Sequence, residues 1–386
     1  MQARLNIVPL RPNVIPPADG RWSVEATTSL PNSHVPLDGI IGANGVLPGG
    51  SKYGLRDLYR RVTARRNGIQ RAKFAGANDA RLLYDALEQL KCTGVIEYTG
   101  EFGAEVTTFV PFAFWLKAQG LLRGKRVVTY GGMRPYYYFL DEDELVEKLD
   151  IREYLPPSKR RWPSNSTWHA TRQPWHVMPD YRSRYRDQGL AFAKPLLFVQ
   201  NKFCVEASRG PINYVPLHEL EALFERTAGL FDVVYSRPRA LPRAAEYTVD
   251  MNEDCSYPDL PLARRFGHVT SLEDLCAENN KPYNLTKLEI LSKCHLFVAV
   301  QGGGANLLAN FGQSLLLVLH YYGHEYPHAY KLGPYKYLAT PAPVLMLARR
   351  HSQFERGVQV FTSIRPGSGR LWIDRGSIRT LSHLRF

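Results

Sequence analysis

A short apolar segment that runs into consecutive glycines constrains this chain most strongly. The pattern predicts a strand over 295–301 that is buried on both faces of a parallel sheet, because its residues before Gln301 are apolar almost without a break. A glycine turn follows, and then a helix over 305–311. The turn and the start of the helix comprise Gln301, Gly302, Gly303, Gly304 and Asn306. Glycines let backbone N–H groups approach a ligand closely, and a helix N-terminus favours an anion such as a diphosphate. A phosphate-binding turn is therefore predicted, with a turn needed only for packing as the alternative.

Strands and helices alternate along two stretches of the sequence. The predicted strands lie at 94–98, 125–130, 196–200, 231–236, 295–301 and 314–320, and the predicted helices at 79–90, 106–119, 141–149, 217–227, 272–277, 285–293 and 305–311. Alternation of this kind is typical of α/β proteins with parallel sheets, and 386 residues suffice for two domains. The predicted organisation is an irregular, proline-rich arm (1–50), an α/β domain with a linker (51–190), a second α/β domain (191–350) and a C-terminal extension (351–386).

The chain carries a net charge of +13, from 49 Lys and Arg against 36 Asp and Glu. Such an excess suits nucleic acid, an anionic membrane surface or a phosphate-bearing substrate. Much of it lies in a basic amphipathic helix predicted over 53–67 and in a segment over 156–188 that mixes Trp with Arg. The segment over 156–188 is interpreted as a proline-rich linker rather than as a surface on which nucleic-acid bases stack. With neither an apolar run of membrane-spanning length nor a secretory signal in view, we expect a cytoplasmic or peripheral membrane protein.

Polar and charged residues follow several of the predicted strands of the second stretch. Ligands of open α/β sheets bind at the carboxyl ends of strands, so these residues are candidates for nucleotide-sugar binding. They are Asn201, Lys202 and Arg209 after 196–200, Arg237 after 231–236, and Glu325 after 314–320. The cations could neutralise a phosphate leaving group, and the carboxylate could accept from a sugar hydroxyl. Ordinary solvated surface charges remain the alternative.

Two carboxylates in the first stretch are candidates for general-base catalysis. Glu101 and Glu105 belong to the turn that precedes the helix over 106–119. Either could activate an acceptor hydroxyl, or simply interact favourably with the positive end of the helix.

No metal-ligand set is predicted. The five cysteines form no C-x-x-C pair. Asp141 and Asp143 mimic a D-x-D metal motif, but Asp141 with Glu144 also fits a helix-capping pair, which we favour. His320, His324 and His328 are spaced by four, yet the intervening Gly and Pro disfavour a helix there.

In combination these elements resemble glycosyltransferases of the GT-B type, in which two Rossmann-like domains face a cleft and the C-terminal domain holds most of the nucleotide sugar. Gly100-x-x-Gly103 before a helix is similar to the turn that opens the first half of fucosyltransferase-like enzymes. The apolar strand leading into Gln301–Asn306 is similar to the glycine turn of inverting families, including xylosyltransferase-like enzymes. The resemblance covers about residues 92–350.

The resemblance implies transfer of a sugar from a nucleoside diphosphate sugar to a glycan or other hydroxyl acceptor. It implies an inverting, metal-independent reaction in which the nucleotide sugar is the donor substrate and no separate cofactor is needed. Peripheral contact with an anionic membrane is compatible with the charge, and no nucleic acid is expected. A basic nucleic-acid-binding protein, another nucleotide-dependent α/β enzyme and a glycan-binding protein remain the alternatives.

Overall fold

The computed structural model describes part of the chain, all of it within the compact unit Asn78–Phe386. The described residues are 81–153, 161–162, 175, 177–205, 210–238, 255–321, 335, 338–339 and 341–363. The predicted arm, the basic helix over 53–67, Arg209 and Glu325 lie outside them. No helix of the described residues is long and apolar enough to cross a membrane.

The first sheet has three parallel strands in the order β1-β2-β3. Its strands are β1 (Val95–Glu97), β2 (Arg126–Tyr130) and β3 (Leu145–Lys148). A helix α1, covering 81–93 of the described residues, precedes β1. One continuous helical segment joins β1 to β2 and consists of α2 (Phe102–Ala104), a π-helical stretch (Glu105–Phe109) and α3 (Val110–Ala118). Its apolar side chains are almost all buried, so it forms the core of this half.

The helix predicted from Asp141 to about residue 149 is wrong, because a 3₁₀ turn and a strand occupy that segment. A single 3₁₀ turn, Glu142–Glu144, is followed directly by β3. The Asp141 N–H donates to the Glu144 carboxylate over 2.9 Å, in the capping box that the sequence suggested. Lys117 forms ion pairs with both carboxylates, so Asp141 serves the turn rather than a D-x-D motif. Pairing of 145–148 with β2 outweighs the local helical signal.

The second sheet has six parallel strands in the order β6-β5-β4-β7-β8-β9. The strands are β4 (Leu196–Gln200), β5 (Asp232–Ser236), β6 (Val269–Ser271), β7 (Leu296–Val300), β8 (Leu315–Leu319) and β9 (Val344–Ala348). Numbered from β4, this is the strand order 3-2-1-4-5-6 of doubly wound Rossmann sheets. The predicted α/β class with parallel sheets is confirmed, and the strand order reverses between β4 and β7.

Seven helices accompany the second sheet within the described residues. They are α4 (Tyr181–Tyr185), α5 (Leu217–Thr227), α6 (Asp259–Ala263), α7 (Leu272–Asn279), α8 (Tyr283–Lys293), α9 (Gly303–Leu308) and α10 (His351–Ser363). The sequence prediction lacked β6, β9, α4, α6 and α10. Strand β6 has only three residues and gives little pattern to recognise. Helix α10 could have been predicted, because its buried Phe354, Val358 and Phe361 recur at helical spacing.

The short helix α4 ties the two sheets together. On one side the Tyr181 hydroxyl donates to the Tyr136 carbonyl over 3.2 Å. On the other, the Arg182 guanidinium donates to the carbonyls of Ser292 (2.8 Å), Cys294 (2.8 Å) and Gly312 (3.2 Å). The described tryptophans of the preceding segment, Trp162 and Trp175, are buried rather than available for stacking on bases. These contacts are those expected of a pinned linker.

Arg182→Ala should lower the free energy of unfolding by about 3 kcal/mol, because it removes the hydrogen bonds from one cation to three carbonyls. Arg184→Ala is the matched control, since this exposed neighbour on α4 lies 5.7 Å and 5.9 Å from the rings of Tyr138 and Tyr185. Its loss should cost less than about 1 kcal/mol. Urea unfolding of the two variants measures the difference. Equal losses would show that α4 does not join the sheets through Arg182.

Candidate functional site

The reversal of strand order places two predicted binding segments side by side. Lys202 follows β4 and the glycine turn follows β7, and β4 pairs directly with β7. A Cβ atom at Gly302 would lie 3.3 Å from the Lys202 Nζ, so the ammonium lies against this turn. Gly302 has a φ of +129°, which favours glycine. The Gln301 N–H donates to the Leu319 carbonyl over 3.0 Å and ties the turn to β8. Lys202, Gln301 and Gly302 thus meet where ligands of open α/β sheets bind.

The other two glycines of the turn pack closely against neighbouring protein groups. A Cβ at Gly303 would lie 3.0 Å from the backbone nitrogen of Gly103. A Cβ at Gly304 would lie 2.1 Å from the Nε2 of Gln200, the last residue of β4, and would displace that side chain. Packing, the alternative that the sequence left open, therefore accounts for Gly303.

Gly103 brings the first sheet's turn onto the glycine turn of the second. A Cβ at Gly103 would lie 2.8 Å from the Gly303 Cα and 3.0 Å from the Asn306 Nδ2. The Oδ1 of Asn306 accepts from the Tyr335 hydroxyl over 2.5 Å, so this side chain bridges segments instead of projecting alone. Two glycine turns distant in sequence therefore meet at the site, and Glu101 accompanies the first of them.

The two candidate bases occupy different environments. Glu101 is exposed and stands immediately before α2. Glu105 has no exposed surface, and its Oε2 lies 2.6 Å from the Nη1 of Arg152, which is equally buried. In this arrangement Glu105 cannot contact an acceptor, whereas Glu101 lies at the surface beside the site. Catalysis by either residue stays a prediction.

Glu105 and Arg152 form a buried polar network beneath the 100–105 turn. Arg152 also donates to the Gly100 carbonyl over 3.3 Å. The Tyr137 hydroxyl donates to the Glu105 carboxylate over 2.8 Å, as does that of Thr129. Burial, and then the charge of Glu105, raises the pKa of Tyr137 well above its ordinary value, so the phenol stays a donor. The network holds the turn from below, and sequence reasoning missed Arg152 because its partner is remote in the chain.

Two predicted binding residues are engaged within the protein. The Asn201 side chain is fully buried, accepts from the Val215 N–H over 2.8 Å and donates to the Tyr235 hydroxyl over 3.1 Å. Arg237 is also buried, with its Nε 3.3 Å from an Asp259 carboxylate oxygen. Both residues shape the loops at the carboxyl edge, and neither projects into open space.

Lys287 is a cation that sequence reasoning missed. It lies on α8 with 1% of its surface exposed. Its Nζ is 5.9 Å from the Phe102 ring centre and 5.7 Å from that of Tyr283. Among the described residues it has no ion-pair partner within 4.0 Å. Burial lowers its pKa to about 8, against the weaker opposing effect of Glu273. A buried lysine of this kind, next to the 100–105 turn, is typical of functional sites.

Two amide side chains at the reversal point have unused acceptors. Gln200 ends β4 and Gln301 follows β7, and they are 8% and 1% exposed. The Oε1 atoms of both are buried without a hydrogen-bond partner in the described part of the chain. Such groups are rare in folded proteins and call for a donor, which a water molecule or a ligand hydroxyl could supply.

Comparisons with known proteins concern the architecture. No protein-family model matches the chain, and no curated protein matches it. Among solved structures, it is similar to a glycosyl transferase of family 9 from Veillonella parvula, at 13% identity over 75% of this chain and 95% of that one, with a TM-score of 0.39. It is also similar to the catalytic domain of starch synthase IV from Arabidopsis thaliana, bound to ADP and acarbose, at 10% identity over 69% and 56%, with a TM-score of 0.25.

Gly103→Ala should lower stability by about 1–3 kcal/mol, because its Cβ would press on backbone that cannot rotate away. Gly267→Ala is the control, since a Cβ there meets nothing within 4 Å, and it should change stability by less than about 0.5 kcal/mol. Thermal unfolding of the two variants is the measurement. Equal stability of the two would contradict the close contact between the turns.

Lys287→Met should raise stability at pH 7 by about 3 kcal/mol, the equivalent of the difference between pKa values of about 8 and 10.5. Because the folded protein holds this proton less tightly than the unfolded chain, wild-type stability should rise between pH 8 and 10. The variant should lose this rise. Urea unfolding at pH 7 and 9.5 measures both effects, with the exposed Lys91→Met as control. If the variant were less stable than the wild type at pH 7, the burial of the Lys287 charge would not be destabilising and this account would be wrong.

Proposed function

We propose that this protein transfers a sugar from a nucleoside diphosphate sugar to a hydroxyl acceptor. One observation carries the proposal: Lys202 and the glycine turn meet at the strand-order reversal of a Rossmann-type sheet, and the turn containing Glu101 packs against them. Phosphate-bearing ligands of such sheets bind at this point, where backbone N–H groups can approach the phosphates. The resemblance of both glycine turns to those of GT-B-type enzymes agrees with it.

The donor would lie along the carboxyl edge of the second sheet. Lys202 and the N–H groups of the glycine turn would bind the diphosphate. Lys287, whose Nζ lies 5.9 Å from the Phe102 ring centre, would add a second positive charge near this edge. The unused amide oxygens of Gln200 and Gln301 are suited to accept from sugar or ribose hydroxyls. Arg209 and Glu325 remain predicted donor-binding residues outside the described part.

The reaction would proceed by direct displacement at the anomeric carbon. Glu101 would take the proton of the acceptor hydroxyl, whose oxygen forms a bond to the anomeric carbon from the face opposite the diphosphate. The bond between that carbon and the phosphate oxygen breaks, and its electron pair leaves with the diphosphate. Preorganised positive charge stabilises this leaving group, so the proposal calls on the lysines rather than on a metal ion. Inversion of configuration follows from this geometry.

Within the proposal, Glu105 positions rather than reacts. Its ion pair with Arg152 fixes the turn that carries Glu101. The acceptor class is a glycan or another hydroxyl compound. Peripheral contact with an anionic membrane stays a prediction that concerns the helix over 53–67.

Nucleotide binding tests the donor site directly. UDP, GDP or ADP at 100 times its Kd should stabilise the full chain by about 2.7 kcal/mol, seen as a rise in Tm. Lys202→Ala should abolish most of that rise, whereas the exposed Lys91→Ala on α1 should preserve it. If no nucleoside diphosphate or nucleotide sugar raises the Tm, the proposed function is wrong.

Catalysis is tested by Glu101→Gln. The variant should keep the nucleotide-induced rise in Tm but lose about 10²–10⁴-fold in the rate of donor turnover, because the amide cannot accept the proton. Glu142→Gln, an exposed carboxylate change in the same half, should leave the rate unchanged. Full activity in Glu101→Gln would remove this residue from the mechanism.

A further inference from the structure

We propose that His218, Glu219 and His351 form a binding site for a divalent transition-metal ion, with zinc as the ion that fits best. The proposed glycosyl transfer uses none of these residues, so each proposal can be tested independently of the other. One nitrogen of each histidine and one carboxylate oxygen of Glu219 lie within 4.8 Å of one another. The two imidazole rings are 5.3 Å apart.

The separations suit a small ion after modest side-chain rotation. A tetrahedral zinc ion with bonds of about 2.0–2.1 Å holds its ligand atoms roughly 3.3 Å apart. The Nδ1 of His351 is now 2.6 Å from the Glu219 Oε1, as expected when a proton rather than a metal lies between them. An ion would replace that proton and push the two atoms slightly apart.

The backbone positions of the three ligands are fixed by two packed helices. His218 and Glu219 lie in the first turn of α5, and His351 is the first residue of α10. Phe354 and Val358 of α10 belong to the same buried core as Leu223 of α5. The ligand backbones therefore stand on rigid elements, as a preformed site requires.

Supporting groups surround the ligands as they do in metal sites. The Tyr321 hydroxyl donates to Glu219, at 2.7 Å from Oε1 and 2.9 Å from Oε2. If Nδ1 of His351 binds the ion, its Nε2 lies 3.6 Å from Glu355, and a small side-chain rotation would bring the two into the hydrogen bond that orients ligating imidazoles. Arg226 lies 3.6 Å from the same oxygen of Glu355 and partly balances its charge.

The donor set indicates which ion would bind. Two imidazoles and one carboxylate suit zinc, or cobalt and nickel in its place, and leave one position for water. The Glu219 carboxylate is 1% exposed, so its negative charge favours a cation beside it. The positive ends of α5 and α10 oppose a cation, but that effect is small beside three ligand bonds.

Calorimetric titration of the chelator-treated full chain with Zn²⁺ tests the proposal. The expected result is submicromolar binding at this site, with tetrahedral absorption bands when Co²⁺ is used instead. His218→Asn is the first variant, because His218 is exposed and its loss should leave the fold intact. It should weaken binding at least about 100-fold, and Tyr321→Phe about 10-fold. His295→Asn, which removes an imidazole bound only to the Gln313 carbonyl in this part of the structure, is the control.

The outcomes separate a metal site from a simple ion pair. Loss of affinity in His218→Asn with an unchanged Tm, and none in His295→Asn, supports the site. Wild-type binding no tighter than that of His218→Asn, or the absence of tetrahedral Co²⁺ bands, overturns it. Tyr321→Phe adds an independent readout, since a tyrosine that served only the fold would change the Tm and not the zinc affinity.

Discussion

The contact between Gly103 and Gly303 is the constraint on which the site depends. Each residue touches the backbone of the other, and a Cβ on either would fall within about 3 Å of it. This contact places the start of α2, which follows β1 of the first sheet, against the start of α9, which follows β7 of the second sheet. Side chains larger than hydrogen would hold the turns apart and withdraw Glu101 and Phe102 from the carboxyl edge of the second sheet. The proposed roles of Glu101 as base and of Lys202 as phosphate ligand both require this contact between the two turns.

The buried Arg152–Glu105 pair maintains that contact from beneath. Burying two charges costs several kcal/mol per ion, so such a pair is weak evidence for stability. Removal of either partner would nevertheless leave an isolated charge at the centre of the first half. Arg152 also binds the Gly100 carbonyl, and Tyr137 and Thr129 complete the shell around the carboxylate. The network fixes the position of the turn, and the proposed role of Glu101 depends on that position.

Local sequence patterns predicted most of the helices and strands, and the errors arose where tertiary contacts outweigh those patterns. Helix α5 was predicted at its observed ends, and β7 within one residue of them, because their apolar spacing is long and regular. The strand β3 was misread because a capping turn at Asp141 resembles the start of a helix, whereas pairing with β2 is remote information. The sequence placed Lys202 and Gly302 after two strands, and the structure brings them together because those strands are neighbours in the sheet. The position of Lys287 beside Phe102 could not be predicted, because only the fold brings the two together.

Whether a buried cation already has a carboxylate partner is more informative about ligand binding than the total number of cations in the chain. Arg152 and Arg237 are buried, but each lies against a carboxylate that was buried with it. Their charges are already balanced, so neither can offer much to a diphosphate. Lys287 is equally buried, and among the described residues no carboxylate lies within ion-pair distance of it; the more distant Glu273 only partly offsets the burial that lowers its pKa. The fold therefore leaves more of the charge of Lys287 uncompensated than of the charges of Arg152 and Arg237, which is why the proposed donor site calls on this lysine and not on the two arginines.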